Sequence, residues 1–403
     1  MTRVLIYSHD TYGLGHFRRS SLLASGVVAT HAEAEVLIVT GSPRTQSFRL
    51  PDRVDTVKLP TATKDGSGRY RARKLNMDLQ SLVRFRSDLI STTINNYRPD
   101  VILVDHAPLG MSRELVPALE QIGLRHKRPR LVLGLRDIID EVGRVDAAWH
   151  RDGTWGWIDA YDEVLVYGDQ RLQTTASELG LAHRSTTPVH HTGYVAPAMP
   201  GPTTGQPFLL VTAGGGGDGQ AMLRAYLDAV EHGATEGLKS VVVTGPLLSP
   251  GRRAELMTRA SLLPTVEIVE FTDQLRPLIS SAVGVISMAG YNTVVELLAA
   301  NTPALLVPRC APRLEQHLRS ARLAAVVPQL QHCPIEMLDR DRIRDFVTSR
   351  SASAVEPPTV NLAGVERSVE LLLGGLCAEP SKLERSPATE TKRSALMEGA
   401  NHG

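Results

Sequence analysis

Two segments of this chain combine glycine with polar side chains in spacings that could bind phosphate and move a proton. In the first, Gly13 and Gly15 precede His16 where a predicted strand gives way to a helix-compatible stretch. The helix dipole disfavours a protonated imidazole at that point, so His16 should stay neutral and able to accept a proton at neutral pH. We therefore expect His16 to be a general base. The structural alternative is a helix-start histidine bonded to a nearby carbonyl.

The same turn argues against a dinucleotide cofactor. Gly13 and Gly15 begin the pattern G-x-G-x-x-G, but Arg18 stands in place of its third glycine. His16 would also occupy the helix mouth, where the backbone should approach a pyrophosphate. We predict that the chain uses neither NAD nor FAD and needs no cofactor.

The second segment, residues 287–308, predicts a strand, a glycine turn, a helix and another strand. Unpaired N–H groups at the helix start would attract phosphate. The residues at that start are Gly290, Tyr291, Asn292 and Thr293. One turn further on, Glu296 is a lone carboxylate on an apolar helix, placed to take ribose hydroxyls. The segment therefore suits a nucleotide, and the alternative is an ordinary capped helix with a solvated glutamate.

A third glycine-rich turn, Thr212–Gly219, separates a predicted strand from a predicted helix. Successive glycines have a large entropic cost, which is understandable where the backbone must approach a ligand closely. The turn includes Gly214, Gly215 and Gly216. No Gly-Lys-Ser/Thr follows, so this is not the ATP-binding P-loop, and a flexible turn is the alternative.

Other polar residues end predicted strands, on the side of a parallel sheet where ligands bind. Asp105 and His106 follow one strand, and Arg136 and Asp137 follow another. They could touch a substrate or cap helices. The basic stretch between Arg69 and Arg86 is interpreted as a solvated helix face. The alternative is that it contacts an anionic acceptor or a lipid surface. Three tryptophans between 149 and 157 could stack on a sugar or pack in a core.

Composition restricts the class of protein. The chain has 403 residues and a net charge of +1, without the basic excess of a nucleic-acid-binding protein. Its three cysteines have no C-x-x-C spacing and predict neither disulfides nor a zinc site. No apolar run reaches membrane-spanning length and no signal peptide is evident, so we expect a cytoplasmic protein without a bound metal.

Strands and helix-compatible stretches alternate along the chain, which predicts parallel sheets covered on both faces. Residues 195–207 contain four prolines and two glycines and predict a hinge. We therefore expect an α/β protein with two Rossmann-like doubly wound domains, residues 1–194 and 208–378, facing across a ligand cleft. Residues 379–403 are polar and are predicted to be a disordered tail. The predicted strands are Arg3–Ser8, Glu35–Thr40, Val101–Asp105, Leu131–Leu135, Glu163–Tyr167, Phe208–Thr212, Ser240–Thr244, Val266–Glu270, Gly284–Ser287 and Ala304–Val307.

The second half resembles the C-terminal domain of glycosyltransferase family 28, which has the GT-B fold. Four segments in order carry the resemblance, and they are Thr212–Gly219, Phe271–Leu275, Gly290–Glu296 and Pro312–Gln316. The resemblance implies that the glycine turn and the start of the Gly290 helix hold a diphosphate. It further implies that Glu296 takes the ribose hydroxyls.

The resemblance also implies contacts to the base and the sugar of a UDP-sugar donor. The backbone of Phe271 and Thr272 would meet uracil, and Glu315 and Gln316 would reach the sugar. Family members that make lipid II have two glutamines at the latter positions, so Glu315 departs from the pattern and leaves the sugar open.

The first half is similar to the family mainly in its first strand and in the turn at Gly15 and His16. That turn also resembles the Gly-x-Gly-His-x-x-Arg turn of the UDP-sugar hydrolase in pseudaminic acid synthesis, which activates water with the histidine. The first domain would hold the acceptor. Its candidate residues are Gly15, Arg18, Asp105, His106 and Asp137.

Together these features predict a metal-independent glycosyltransferase, and the family resemblance implies that it is inverting. It would move a sugar from a nucleotide-diphosphate donor, UDP-linked by resemblance, to a hydroxyl acceptor, with His16 as the base. Peripheral contact with a membrane stays open. A UDP-sugar hydrolase is the alternative, and a nucleotide-sugar-binding protein without catalysis is a third reading.

Overall fold

The computed structural model of the chain describes residues 1–9, 15–43, 45, 49–64, 69–349 and 360–377. Within these ranges, two parallel sheets are each covered by helices on both faces. Successive residues of the first strand show why: Val4 and Ile6 lie in one hydrophobic cluster, whereas Leu5 and Tyr7 lie in another. Side chains alternate across a strand, so a strand that is apolar throughout must be buried on both sides.

The first sheet has the strand order β3-β2-β1-β6-β7-β8-β9, with all neighbours parallel. A separate antiparallel hairpin is formed by β4 and β5. The strands are β1 (Thr2–Ser8), β2 (Ala34–Thr40), β3 (Val54–Lys58), β4 (Ala62–Lys64), β5 (Tyr70–Ala72), β6 (Val101–Asp105), β7 (Arg130–Arg136), β8 (Glu163–Tyr167) and β9 (Val189–His191). The helices of this half are α1 (Gly15–Thr30), α2 (Leu79–Tyr97), α3 (Val116–Gly123), α4 (Val142–Arg151), α5 (Trp155–Ile158), α6 (Thr175–Glu178) and α7 (Leu181–Arg184).

The second sheet has the order β12-β11-β10-β13-β14-β15 and is also parallel. Its strands are β10 (Phe208–Thr212), β11 (Lys239–Val243), β12 (Val266–Val269), β13 (Gly284–Ser287), β14 (Ala304–Leu306) and β15 (Leu330–His332). The helices are α8 (Gln220–Glu231), α9 (Pro250–Ala260), α10 (Leu275–Ser281), α11 (Tyr291–Ala300), α12 (Glu315–Ala324), α13 (Arg340–Ser349) and α14 (Gly364–Cys377). Short 3-10 helices occur at Met111–Arg113 and Ile335–Met337.

The ten predicted strands are all present, with bounds shifted by at most one residue, and the predicted class of two doubly wound α/β halves is confirmed. The sequence analysis missed β3, β9 and β15, which lie at sheet edges, and the β4–β5 hairpin. These strands have three to five residues and include polar ones, so they lack the continuous apolar run of a central strand. No helix in the described part of the chain is long and apolar enough to cross a membrane.

The last helix departs from the predicted domain organisation, because α14 packs on α1 of the first half. The amide of Gly364 donates to the carbonyl of Tyr194 at 3.0 Å, and Val195 and Ala363 form an antiparallel bridge. A Cβ on Gly26 of α1 would lie 2.7 Å from Val365. Helix α14, which the predicted boundary places in residues 208–378, therefore lies against the first half. The predicted tail, residues 379–403, lies outside the described residues.

Two sequence interpretations change in the first half. Arg86, assigned to a solvated face, is 1% exposed, and its Nε donates to Glu114 Oε2 at 2.6 Å. Tyr7 donates to the other oxygen of that carboxylate, also at 2.6 Å. Trp149 and Trp157 are buried in the core of this half, so packing accounts for them.

We predict that Gly364→Ala destabilises the protein by about 1–3 kcal/mol, because the new Cβ forces backbone to move. That Cβ would lie 2.4 Å from the carbonyl carbon of Tyr194. The control is Gly374→Ala on the same helix, where a Cβ meets nothing within 4 Å. Denaturant unfolding should show a loss only for Gly364→Ala, and equal stabilities would contradict the docking of α14.

Candidate active site

The register of two central strands brings His16 and Asp105 together. Parallel strands β1 and β6 pair Ser8 with Asp105, so the helix that follows β1 starts beside the carboxyl end of β6. His16, the second residue of α1, has its Nδ1 2.7 Å from Asp105 Oδ2. Gly13 and Leu14, which precede this helix, lie outside the described residues. The predicted base thus has a carboxylate partner from a separate strand.

Arg19 fixes the carboxylate. It lies three residues after His16 and donates to Asp105 through Nε at 3.0 Å and through Nη2 at 2.7 Å. Burial alone would raise the pKa of Asp105, but Arg19 and His16 outweigh it and lower that pKa to about 2. The carboxylate is therefore ionised at neutral pH and can only accept hydrogen bonds.

This geometry sets the tautomer of His16. The Asp105 carboxylate at 2.7 Å accepts from Nδ1, which leaves Nε2 its lone pair. Arg19 Nη2 also lies 3.0 Å from Nδ1, but it donates to both oxygens of Asp105 at shorter distances. Burial lowers the pKa of His16 more than Asp105 raises it, so the imidazole is neutral at neutral pH. A neutral imidazole held by a buried carboxylate can take a proton from a hydroxyl, and the carboxylate then stabilises the imidazolium.

The start of α11 has the expected phosphate-binding character. Its first intrahelical hydrogen bond runs from the amide of Val294 to the carbonyl of Gly290. The amides of Tyr291, Asn292 and Thr293 precede that bond and stand at the positive end of the helix dipole. A Cβ on Gly290 would meet nothing within 4 Å, so the turn is open on that side.

Glu296 is not solvated, contrary to the alternative reading of the sequence. It is 2% exposed, and burial raises its pKa, although Arg18 opposes this. Arg18 donates to Glu296 Oε1, whereas Oε2 is buried with no partner among the described residues. One carboxylate oxygen therefore makes no hydrogen bond to the described residues.

The beginnings of α1 and α11 meet across the cleft. Asn292 Nδ2 donates to the carbonyl of Gly15 at 3.0 Å, and Arg18 reaches Glu296. Arg18 was predicted on the acceptor side, and the structure instead places it on the predicted ribose-binding carboxylate. The side chain of Asn292 is likewise used between the domains, and its amide is what a phosphate could still bind.

Tyr291 also differs from its predicted role in donor binding. Its side chain is 5% exposed, donates to the carbonyl of Tyr167 at 3.1 Å and accepts from the amide of Val195 at 3.2 Å. The guanidinium carbons of Arg19 and Arg319 lie 5.2 and 5.5 Å from the ring centroid. The ring is part of the contact between the two halves.

Asp137, a predicted acceptor-side residue, is engaged in an ion pair within the protein. It is 2% exposed and accepts from Arg319 Nη2 of α12 at 2.7 Å. This ion pair joins the end of β7 to the second half of the chain. His106 is 8% exposed, adopts a positive φ of 71°, and has its Nε2 3.2 Å from Arg136 Nη2.

The predicted glycines of the loop after β10 differ in how much free space surrounds them. A Cβ on Gly216, which has φ 88°, would lie 2.3 Å from the carbonyl oxygen of Thr244, so the neighbouring loop requires this glycine. Gly215 would touch Leu247 at 3.3 Å. Gly214, with φ 60°, has nothing within 4 Å of its Cβ position. Of the three predicted glycines, Gly214 matches the expectation of space left for a ligand, and Gly217 of the same loop is equally open.

The predicted base-binding and sugar-binding residues lie in different surroundings. Phe271 is 43% exposed, and Thr272 Oγ1 accepts from the amide of Gln274 at 2.9 Å. At the start of α12, Glu315 is 4% exposed and pairs with Arg309. Gln316 Oε1 accepts from the amide of that arginine at 3.3 Å.

Several residues of the site were missed. Arg19 is the arginine of the Gly-x-Gly-His-x-x-Arg turn but was given no role, although its spacing from His16 places both on one face of α1. Arg319 had no local signal, since its partner is 182 positions away. Among the described residues, no group of three or more His, Cys, Asp or Glu side chains could hold a metal ion.

We predict that Asp105→Asn destabilises the protein by about 3–5 kcal/mol, because it leaves Arg19 buried without a counter-charge. The control is Asp341→Asn, which removes an exposed pair with Arg344 and should change stability by less than about 0.5 kcal/mol. Unfolding in denaturant measures both. A loss for Asp105→Asn no larger than that of the control would show that Arg19 does not depend on this carboxylate.

Comparison with known proteins agrees with the sequence-based resemblance. Residues 209–324 match the glycosyltransferase family 28 C-terminal domain. The UDP-N-acetylglucosamine--N-acetylmuramyl-(pentapeptide) pyrophosphoryl-undecaprenol N-acetylglucosamine transferase of Opitutus terrae is 34% identical over 105 residues. That match covers 26% of this chain and 27% of the relative, so the chain matches about a quarter of the relative's length.

Solved structures share the whole architecture at low identity. MurG of Acinetobacter baumannii superposes with a TM-score of 0.56 at 13% identity, covering 93% of this chain and 100% of that one. UGT71G1 of Medicago truncatula, complexed with UDP-glucose, gives a TM-score of 0.57 at 12% identity, covering 99% and 98%. Both are GT-B glycosyltransferases. The chain therefore has the GT-B fold, and its residues 209–324 resemble the C-terminal domain of glycosyltransferase family 28.

Proposed function

We propose that the chain is a metal-independent, inverting glycosyltransferase that moves a sugar from a UDP-sugar to a hydroxyl acceptor. The observation that carries this proposal is the His16–Asp105 hydrogen bond of 2.7 Å beside the start of α11. It supports a general base next to a phosphate-binding helix end, on opposite sides of one cleft. The match of residues 209–324 to the family 28 domain supports the type of donor.

The donor would lie against the second domain. Its diphosphate would bind the amides at the start of α11 and the open side of the loop at Gly214. Its ribose hydroxyls would donate to Glu296, whose Oε2 has no other partner in the described part of the chain. The exposed Phe271 and the adjacent Thr272 would meet the base.

In the reaction, His16 Nε2 would remove the proton of the acceptor hydroxyl as its oxygen attacks the anomeric carbon. The bond from that carbon to the diphosphate oxygen would break on the opposite face. The helix N-terminus would stabilise the negative charge that develops on the leaving diphosphate, which is the role a metal ion has in other transferases. Asp105 would stabilise the imidazolium until the proton leaves.

Hydrolysis would use the same groups with water as the acceptor. A cavity of about 580 Å³ beside His106 favours transfer, because it has the volume of a small-molecule site and water needs no such room. A binding protein without catalysis would not need a neutral imidazole held by a carboxylate at this position.

We predict that His16→Asn lowers turnover about 10²- to 10⁴-fold, the usual contribution of a positioned base. UDP affinity should stay nearly unchanged, because the proposed donor contacts lie on other residues. The control is His183→Asn, at an exposed position of α7. Transfer and donor hydrolysis by mass spectrometry, with calorimetry of UDP binding, measure these effects, and a fully active His16→Asn enzyme would refute the assignment.

The pH dependence of the wild type gives a further check on the same group. A base works only when deprotonated, so kcat/KM should fall as pH falls through the pKa of His16. Burial lowers that pKa from 6.5, so the acid limb should have its midpoint below 6.5 and the rate should be flat near neutrality.

We predict that Glu296→Ala weakens UDP binding by about 1–3 kcal/mol, the cost of losing charged hydrogen bonds to the ribose. The control is Glu267→Ala, at an exposed position of β12. Calorimetry should be run with and without chelator. Wild-type binding that disappears in chelator would overturn the metal-free part of the proposal, and unchanged affinity in Glu296→Ala would remove the carboxylate from the donor site.

A further inference from the structure

One ion pair between the two halves involves the carboxylate that the proposed donor would need. Arg18, in the first turn of α1, donates through Nη2 to Glu296 Oε1 of α11. The two side chains differ in burial, because that of Arg18 is 27% exposed and that of Glu296 is 3% exposed. The pair therefore joins a guanidinium that contacts water to a carboxylate that does not.

Neither carboxylate oxygen of Glu296 is open to a ligand in this arrangement. Oε1 accepts from Arg18, and Oε2 is buried. Under the proposed function, ribose hydroxyls donate to this carboxylate, and a hydroxyl can donate only to an oxygen that it approaches to within about 3 Å. A group beside the carboxylate must therefore move before a ribose can bind there.

Arg18 is a group that can move at low cost. Its neighbour Arg19 provides the contrast, since its side chain is 2% exposed and its Nη2 donates to both oxygens of Asp105, at 2.7 and 2.8 Å. Releasing Arg19 would leave two buried charges without partners, whereas Arg18 would exchange its hydrogen bond for water. A rotation of the Arg18 side chain is sufficient, because Asn292 Nδ2 can keep its hydrogen bond of 3.0 Å to the carbonyl of Gly15.

The carboxylate left by Arg18 would need new hydrogen-bond donors. Burial raises the pKa of Glu296, and the charges of Arg18 and then Arg276 oppose that rise. Without Arg18, the buried carboxylate would lose a hydrogen bond, which is costly unless other donors replace it. The two adjacent hydroxyls of a ribose are such donors. A ligand with a ribose can therefore take the place of the guanidinium.

We propose that Arg18 is a gate on the donor site, which occupies Glu296 in the free protein and is displaced into solvent by the ribose of a nucleotide. The inference rests on the proposed function for the contact between the ribose and Glu296. When the binding-competent form is only a fraction of the free protein, the observed affinity falls by that fraction. Removal of Arg18 should therefore strengthen nucleotide binding, which is the opposite of what the loss of a ligand contact would do.

The experiment compares UDP binding by calorimetry in wild type, Arg18→Met, Glu296→Ala and the double variant. Methionine keeps an apolar side chain and has no donor. Arg18→Met should bind UDP about tenfold more tightly than wild type, as expected if about nine-tenths of wild-type molecules are closed. In Glu296→Ala the same replacement should change the affinity by less than about twofold, because a gate acts only through the carboxylate that it covers. Measurement at about pH 8 favours the ionised carboxylate once its guanidinium partner is removed.

The matched control is Arg322→Met. Arg322 of α12 also pairs across the two halves, with Glu178 of α6 at 2.8 Å, and these side chains are 21% and 23% exposed. This pair involves no residue that we propose to bind the donor, so its loss should leave UDP affinity unchanged. Tighter binding in Arg322→Met as well would indicate a general loosening between the halves and would overturn the gate.

A measurement on the wild type covers the case in which Arg18→Met does not fold. Phenylglyoxal modifies accessible arginines, and mass spectrometry of peptides gives the labelling rate at each position. Saturation with uridine, which has the ribose but no diphosphate, should raise the rate at Arg18 and leave the rate at Arg322 unchanged. A rate at Arg18 that uridine lowers or leaves the same would overturn the inference.

The outcomes separate this inference from the proposed function. If Glu296→Ala weakens UDP binding but Arg18→Met does not strengthen it, the donor contact stands and the gate is wrong. If Arg18→Met weakens UDP binding, Arg18 is itself a ligand of the donor and the gate is wrong as well. If Arg18→Met strengthens binding only when Glu296 is present, yet no nucleotide sugar is ever consumed, the gate stands and the transferase proposal fails.

Discussion

The arrangement of the two halves depends on pairing two buried guanidinium groups. Arg19 from the first half and Arg319 from the second both lie over the ring of Tyr291, and each is held by an aspartate of the first sheet. A buried charge is tolerated only with a counter-charge in good geometry. Asp105 and Asp137 end adjacent strands, so the two pairs together fix where α1, α11 and α12 start relative to the first sheet.

The same pairing prepares the proposed chemistry. Arg19 holds the carboxylate that sets the tautomer of His16, and it also lies over the ring of Tyr291 from the second half, so one side chain orients the proposed base and contacts the other half. The beginnings of α1 and α11 then face each other, which brings two positive helix ends together. An anion between them would relieve that repulsion.

The local sequence pattern was sufficient to predict the central strands, the starts of two helices and several site residues. Continuous Val, Ile and Leu runs identified the central strands, because a strand buried on both faces must be apolar throughout. Glycines followed by polar residues identified the starts of α1 and α11, since backbone donors there are left unpaired by the helix itself. Short edge strands such as β9 were missed because an edge strand pairs with only one neighbour and is partly exposed, so its sequence need not be continuously apolar.

By itself, the sequence thus determined the α/β class, the central strands and the positions of His16, Gly290 and Glu296 at helix starts or one turn beyond. Only the tertiary structure decided the partners of these residues. Arg18 pairs with Glu296 across 278 positions, and Arg319 pairs with Asp137 across 182. The packing of α14 on α1 was likewise not predictable from the local sequence. The physical reason is that strand and helix periodicity act over a few residues, whereas the pairing of a buried charge depends on which side chains the folded sheets bring within a few ångströms.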